Sequence, residues 1–226
     1  MRFVFAIIVL AMLSAGPVFA QDLVSDKGKL SYAVGWDIGE DIQRRGAEFD
    51  VETVIAAIRD SAAAKEPQVP AEEMVAMLTE LQTRVRQEQA EALQTLAAEN
   101  QKASDDFLAA NLPKNGIVAL PSGIQYRIIE EGEGARPGME STVKVHYRGS
   151  KTNGLEFDSS FARGVPEEFQ INSVLKGWQE VLPLMKTGAT WQIFVPPELA
   201  FGERGNPPVG PNEALMFDLK LIEVVQ

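Results

Sequence analysis

Val143-Lys144-Val145-His146-Tyr147-Arg148-Gly149, followed by Phe157-Asp158-Ser159-Ser160 and then by Val174-Leu175-Lys176-Gly177-Trp178, is the stretch that decides how this chain folds. Val143, Val145 and Tyr147 alternate, so they share one face of a strand and His146 falls on the other. The aromatic and branched residues gathered along these runs predict an apolar pocket beside one placed carboxylate, Asp158. The same runs hold no obvious nucleophile, metal cluster or phosphate loop. A site of that kind suits a reaction in which no covalent bond is broken.

Outward from this core the pattern continues as strands and turns. Ile124, Tyr126 and Ile128 alternate, as do Leu215, Phe217, Leu219 and Leu221, and residues 191–195 read as a further strand. One short helix is predicted over residues 177–185. Pro183 lies inside it and removes the bond from its own amide to the Gln179 carbonyl, so the last turn should be loose or kinked. Strands around a single short helix predict an α+β domain over residues 113–226, a curved antiparallel half-barrel wrapped on that helix. Gly132-Glu133-Gly134 lacks the strand–glycine–helix context of a nucleotide loop and reads as a turn.

Before Leu112-Pro113, where a helix must stop, the pattern is helical. Leu30, Val34, Ile38 and Ile42 recur every fourth residue, with Gly35 and Gly39 on a neighbouring stripe that lets another helix come close. Asp50 is a good N-cap for a second helix with Val51, Val54, Ile55 and Ile58 on one face, ending near Lys65. Pro70 suits the first turn of a third helix, which no Pro or Gly interrupts until residue 112. Met74, Leu78, Leu81 and Val85 form a seam with the coiled-coil rhythm. Beyond Val85 the seam thins, so residues 70–112 are expected to pack first and then act as a semi-rigid spacer of roughly 60 Å if wholly helical. Two short helices and a seam are a thin core, so the region 21–69 is expected to dimerise, with Met74 and Met77 suiting an adaptable interface. The other reading folds these helices back on the C-terminal domain as ordinary core.

Residues 1–20 pair Arg2 with a short apolar run and end on Val18-Phe19-Ala20, the pattern of a cleaved secretory signal. The run is too short for a comfortable membrane span, which needs about 20 residues. No Cys follows the cleavage point, which argues against a lipid anchor. The chain has no cysteine at all, so its stability has to come from its core. With one His and no thiolate it cannot make the usual zinc sites. The formal charge of −11 becomes −12 when Arg2 leaves, which disfavours nucleic acid and anionic membranes as partners.

The motifs over residues 116–226 resemble the FKBP-type peptidyl-prolyl cis-trans isomerases. The resemblance rests on residues 143–149, on Gly154 with Phe157-Asp158-Ser159-Ser160, and on Arg163 and Pro166. It continues through Val174-Leu175 with Gly177-Trp178, through Pro196 with Leu199-Ala200-Phe201-Gly202, and through Pro211-Asn212 leading into Leu215-Met216-Phe217. The helical half is similar to the dimerisation half of the macrophage infectivity potentiator type of exported isomerase. The resemblance implies a prolyl ring seated on Trp178, with walls from Tyr147, Phe157, Val174, Leu175, Val209 and Phe217. It implies that Asp158 faces the twisting carbonyl or holds Tyr147 and Arg163, that Phe201 adjoins the ligand, and that the Leu175 amide donates to a substrate carbonyl. It implies no cofactor and no metal, proline-containing unfolded or partly folded proteins as partners, macrolide inhibitors as ligands, and a periplasmic homodimer.

Physical chemistry supports such an activity independently. Rotation about an X-Pro bond faces a barrier of ~18–20 kcal/mol, set by amide resonance that the twisted transition state has lost. A dry apolar pocket favours the less dipolar, twisted amide over the planar form that water solvates well. Lowering the barrier by about 4 kcal/mol gives roughly a thousandfold acceleration, with no acid, base or nucleophile. Three features depart from the family pattern: Phe201 stands where a Tyr is usual, Glu167 lies near the pocket edge, and the loop from Gly202 to Pro211 is slightly short. The first of these favours the competing expectation, a holdase or binding module that keeps the fold and has little catalysis. A Ser159–His146–Asp158 triad is disfavoured because the strand alternation turns His146 away from the pocket.

Overall fold

The structure is a computed structural model that describes residues 23–45 and 49–225. The secretory signal read at residues 1–20 lies outside the described residues. The chain forms two compact units that divide between Met77 and Leu78, and each is considered by itself.

In the first unit, α1 (Asp26–Arg44) is started by Ser25, whose side chain accepts the Gly28 amide at 3.0 Å. Tyr32 and Trp36 lie one turn apart with ring centroids at 6.0 Å, beside Gly35 and Gly39, around which a Cβ would meet open space. Asp50 caps α2 (Val51–Ala62) by accepting the Thr53 amide at 2.8 Å, as its sequence position implied. The helix ends at Ala62 rather than near Lys65. Ala64 turns left-handed (φ 53°), and the Lys65 and Ala64 amides fold back to the Asp60 and Ser61 carbonyls, a Schellman closure that stops the helix without a Gly. Neither α1 nor α2 contains a buried residue.

The 41-residue α3 (Ala71–Asn111) begins just after Pro70, whose carbonyl accepts the Met74 amide, and runs uninterrupted as the sequence predicted. The unit boundary falls within it. Its final turns are not the bare spacer that the thinning seam suggested. From Ala97 onward, within the second unit, the helix is docked by polar groups, its Ala97 carbonyl accepting from the Asn212 side chain and its Asn111 side chain bonding Gln125, and the Phe107 ring lies 6.0 Å from Phe194. The apolar seam missed this dock because it is made largely of hydrogen bonds.

The rest of the second unit is one antiparallel sheet of seven strands. They are β1 (Val118–Ala119), β2 (Gln125–Glu130), β3 (Thr142–Lys151), β4 (Glu156–Ser159), β5 (Glu167–Gln170), β6 (Thr190–Val195) and β7 (Leu215–Val224). Their order is β1-β2-β6-β7-β3-β4, with β5 pairing the first half of β3. The strand alternation read from sequence sets the core: Val143, Val145, Leu215, Leu219 and Leu221 are fully buried on one face. The single turn α4 (Ser160–Arg163) follows β4, and α5 (Lys176–Val181) closes the buried face. At Pro183 the α-helical hydrogen bonding gives way to a 3-10 turn, Leu182–Leu184, for the reason anticipated.

Two glycines set close approaches around α5 and the aromatic rings. A Cβ at Gly177 would lie 2.6 Å from Val195 Cγ1, so α5 can sit on β6 only with glycine there. A Cβ at Gly149 would lie 2.7 Å from the Phe157 ring and 2.9 Å from the Phe217 ring. Gly177→Ala gains up to ~1 kcal/mol in helix propensity, but overpacking against a buried strand costs ~1–3 kcal/mol. The expected net result is a lower urea midpoint for Gly177→Ala. A raised midpoint would show that α5 and β6 separate freely.

Candidate active site

Each wall of the site follows from local sequence. Alternation along β3 turns Tyr147 to the core face, and the pairing of Gly149 with Asp158 sets β4 alongside. Ser159 then accepts the Ala162 amide at 3.2 Å, starting the short turn that brings Arg163 back towards β3. The Leu175 carbonyl accepts the Trp178 and Gln179 amides and so opens α5, while Gln179 Nε2 donates to the Val174 carbonyl at 2.8 Å. That brace holds residues 174–175 in place, and the sequence reading did not pick it out.

The result is a hollow of about 220 Å³. Tyr147, Phe157, Asp158 and Val174 line it, together with Leu175, Trp178, Phe201 and Phe217. Those eight were expected to meet there. Phe169 and Ser173 line it too and were not foreseen, although the alternation of β5 after Pro166 carried a signal for Phe169. Val209 is buried in the core cluster and is not among the lining residues. Arg163 is not among the lining residues either; it bonds Asp158 and the Tyr147 hydroxyl, which are.

Trp178 is held by ring edges. Tyr147, Phe217 and Phe169 meet it nearly perpendicular, with centroids at 5.2, 5.3 and 6.0 Å. Its buried indole N–H has no hydrogen-bond partner among the described residues, so packing alone orients the ring. Phe157 stands edge-on to Phe217 at 5.9 Å and to Phe201 at 6.5 Å.

One polar network adjoins these rings. The Tyr147 hydroxyl donates to Asp158 Oδ2 at 2.6 Å and accepts from Arg163 Nη2 at 2.8 Å. Arg163 also donates to Asp158 Oδ1 and to the Glu167 carboxylate, so one guanidinium serves two carboxylates. Burial pushes the Asp158 carboxyl up, but hydrogen bonds from Tyr147 and Arg163 and the charge of Arg163 together hold it below its ordinary value. Burial first, and the bond to Asp158 second, push the Tyr147 hydroxyl up to about 12. At neutral pH the network therefore holds an ionised carboxylate and an un-ionised phenol.

His146 lies outside the hollow. Its ring stacks on Phe161 with centroids at 4.6 Å, and Nδ1 is 3.0 Å from Ser160 Oγ, which accepts the Tyr147 amide at 2.8 Å. Ser159 is occupied by its cap and Asp158 by Tyr147 and Arg163. No hydrolytic triad forms.

Comparison with known proteins agrees with this geometry. The family described as the domain amino terminal to FKBP-type peptidyl-prolyl isomerase matches residues 27–128, and the FKBP-type peptidyl-prolyl cis-trans isomerase family matches residues 134–222. The chain is 40% identical over 221 residues to the outer membrane protein MIP of Legionella longbeachae, covering 97% of this chain and 95% of that one. It is 37% identical over 201 residues to the FKBP-type 22 kDa peptidyl-prolyl cis-trans isomerase of Escherichia coli K12, covering 88% and 96%. The crystal structure of FkpA from Escherichia coli superposes with a TM-score of 0.70 at 30% identity, covering 89% of this chain and 97% of that one. The chain belongs to the FKBP-type peptidyl-prolyl cis-trans isomerases, and it carries the amino-terminal domain that some of them place before the isomerase fold.

The pKa directions set the expected pH behaviour. Asp158 is lowered, so its contribution to stability is present above its unfolded value of 3.8 and is lost as pH falls through the lower folded value. Tyr147 is raised, so its contribution is present below 10.0 and is lost as pH rises through about 12. Activity on a prolyl peptide is therefore expected to stay flat from about pH 5.5 to about pH 9. A sigmoid step centred near neutrality would mean that a different group controls turnover.

Proposed function

We propose that this isomerase catalyses X-Pro rotation in the Trp178 hollow, acting in the periplasm on unfolded or partly folded exported proteins. The observation that carries the reading is the pairing of an apolar cage of ring edges with one ionised carboxylate held by Tyr147 and Arg163. The prolyl ring sits on Trp178, walled by Tyr147, Phe157, Val174 and Phe217. As the amide twists it loses dipole, and the apolar walls favour that state over the hydrated planar one. Asp158 faces the twisting carbonyl carbon and keeps Tyr147 oriented, while the Leu175 amide donates to a substrate carbonyl. No proton is transferred and no bond is made, in keeping with a phenol and a carboxylate that hold their charge states across the working pH range.

Export is supported by the signal pattern at residues 1–20 and by the outer-membrane name of one relative. No helix among the described residues is long and apolar enough to cross a membrane. A homodimer through α1, α2 and the start of α3 is supported by apolar side chains that stay exposed within one chain: Leu30, Val34, Trp36 and Ile58 are each at least half exposed. Two hollows in one dimer would hold a client at two points and raise its effective concentration.

The test is refolding of a client limited by a cis-proline, with the chain at substoichiometric amounts. Wild type is expected to accelerate the slow phase. Asp158→Ala is expected to lower kcat/KM by about tenfold or more, through loss of an interaction of roughly 1.5–3 kcal/mol. Suppressed aggregation with an unchanged slow phase would establish the holdase instead. Phe201→Tyr adds the hydroxyl that the family pattern has, and is expected to tighten macrolide binding about two- to tenfold, from ~0.5–1.5 kcal/mol per hydrogen bond. Calorimetry on both forms measures it, and equal affinities would show that the hollow does not present position 201 to such ligands.

A further inference from the structure

The final turns of α3 grip one loop of the isomerase domain through side chains that no apolar pattern marks. Ser104 is 3% exposed, and its Oγ donates to the Asn212 carbonyl at 2.9 Å and accepts the Ala214 amide at 2.7 Å. Asn100 donates from Nδ2 to the Pro211 carbonyl at 2.8 Å and rests against Gly210. The loop runs from Gly202 to Ala214, directly after Phe201 and directly before β7, which carries Phe217. Both of those rings line the hollow.

Asn212 is the critical residue of the loop. Its φ of 52° lies in the left-handed region, which a non-glycine residue keeps when its surroundings hold it there. The Asn212 amide donates to the Gly202 carbonyl at 2.9 Å, its carbonyl is taken by Ser104, and its side-chain amide reaches the Ala97 carbonyl at 3.4 Å. Two of these three restraints come from α3. The third fastens the residue next to Phe201.

We propose that Ser104 is a positioning residue of the isomerase site: through Asn212 it fixes the Gly202 end of the loop, and with it the Phe201 wall of the hollow. The inference rests on the reading of the hollow as the site of isomerisation. Ser104 touches no substrate; it keeps a wall where the substrate needs it. Its loss loosens the loop without unfolding it, because Glu213 still accepts the Gly210 amide at 3.0 Å and pairs with Lys151 at 3.0 Å. The last turns of α3 thereby become scaffold for the site.

The test compares full-length wild type, Ser104→Ala, Asn100→Ala and Asp158→Ala. It measures kcat and KM on a prolyl peptide together with amide hydrogen exchange. Ser104→Ala is expected to raise KM about three- to tenfold with little change in kcat, the loss of a wall-setting bond pair. Exchange at Asn212 and Ala214 should quicken about tenfold or more while the amides of β3 and β6 keep their protection. Wild-type kinetics with wild-type protection at Asn212 and Ala214 would overturn the proposal. So would a change carried by kcat alone, or faster exchange across the whole sheet in step with lost activity, which is the mark of a merely structural role. Should Ser104→Ala not fold, Asn100→Ala, which removes only the Pro211 bond, is judged by the same criteria at Gly210–Ala214. If Asp158→Ala also keeps full activity, the site reading itself has failed; if Asp158→Ala is impaired and Ser104→Ala is not, only this inference has.

Discussion

Trp178 stands among ring edges, and the rest of the site depends on that arrangement. With Tyr147, Phe169 and Phe217 all meeting it close to perpendicular, each ring presents its positive edge or negative face to the next, the arrangement such quadrupoles favour. The indole N–H has no hydrogen-bond partner among the described residues, so the packed ring edges hold the ring. Shape in turn requires glycine at two places: at Gly177, where α5 meets Val195, and at Gly149, under the Phe157 and Phe217 rings. A buried surface held this way stays apolar.

The polar side of the site is arranged to stay constant. Arg163 lies between Asp158 and Glu167, and the Tyr147 hydroxyl closes the network by donating to Asp158 and accepting from Arg163. Partly exposed ion pairs of this kind contribute little to stability. Their value here is geometric, since a carboxylate tied by two donors keeps one orientation at the edge of the hollow. Glu167 adds a second negative group at the edge of the network, where a sequence reading alone saw only an unusual residue.

The helix that precedes the isomerase fold belongs partly to each description of the chain. By family matching, the amino-terminal region runs to residue 128, yet the turns of α3 from Ala97 to Asn111 share buried hydrogen bonds with the sheet and with the loop before β7. The reason for the difference is chemical. Sequence patterning sees apolar periodicity, and this dock is built from Ser104, Asn100, Asn111 and Gln125, residues that read as solvent-facing until a partner is placed opposite them. An interface of satisfied polar groups specifies one register, because each unmade bond would strand a buried donor or acceptor.

The strands, the helix breaks and most of the hollow were legible without coordinates. Val143, Val145 and Tyr147 had to share a face because a strand repeats every two residues, Asp50 had to cap because its carboxylate matches an orphan amide, and Pro183 had to loosen α5 because it has no amide to donate. Each of those is a local rule, fixed by covalent geometry. What only the tertiary structure decided is long-range: that Val209 is buried in the core while Ser173 reaches the hollow, and that Ser104 finds Asn212 more than a hundred residues away. Such pairings depend on which surfaces meet when the sheet curls, and no periodicity along the chain records them.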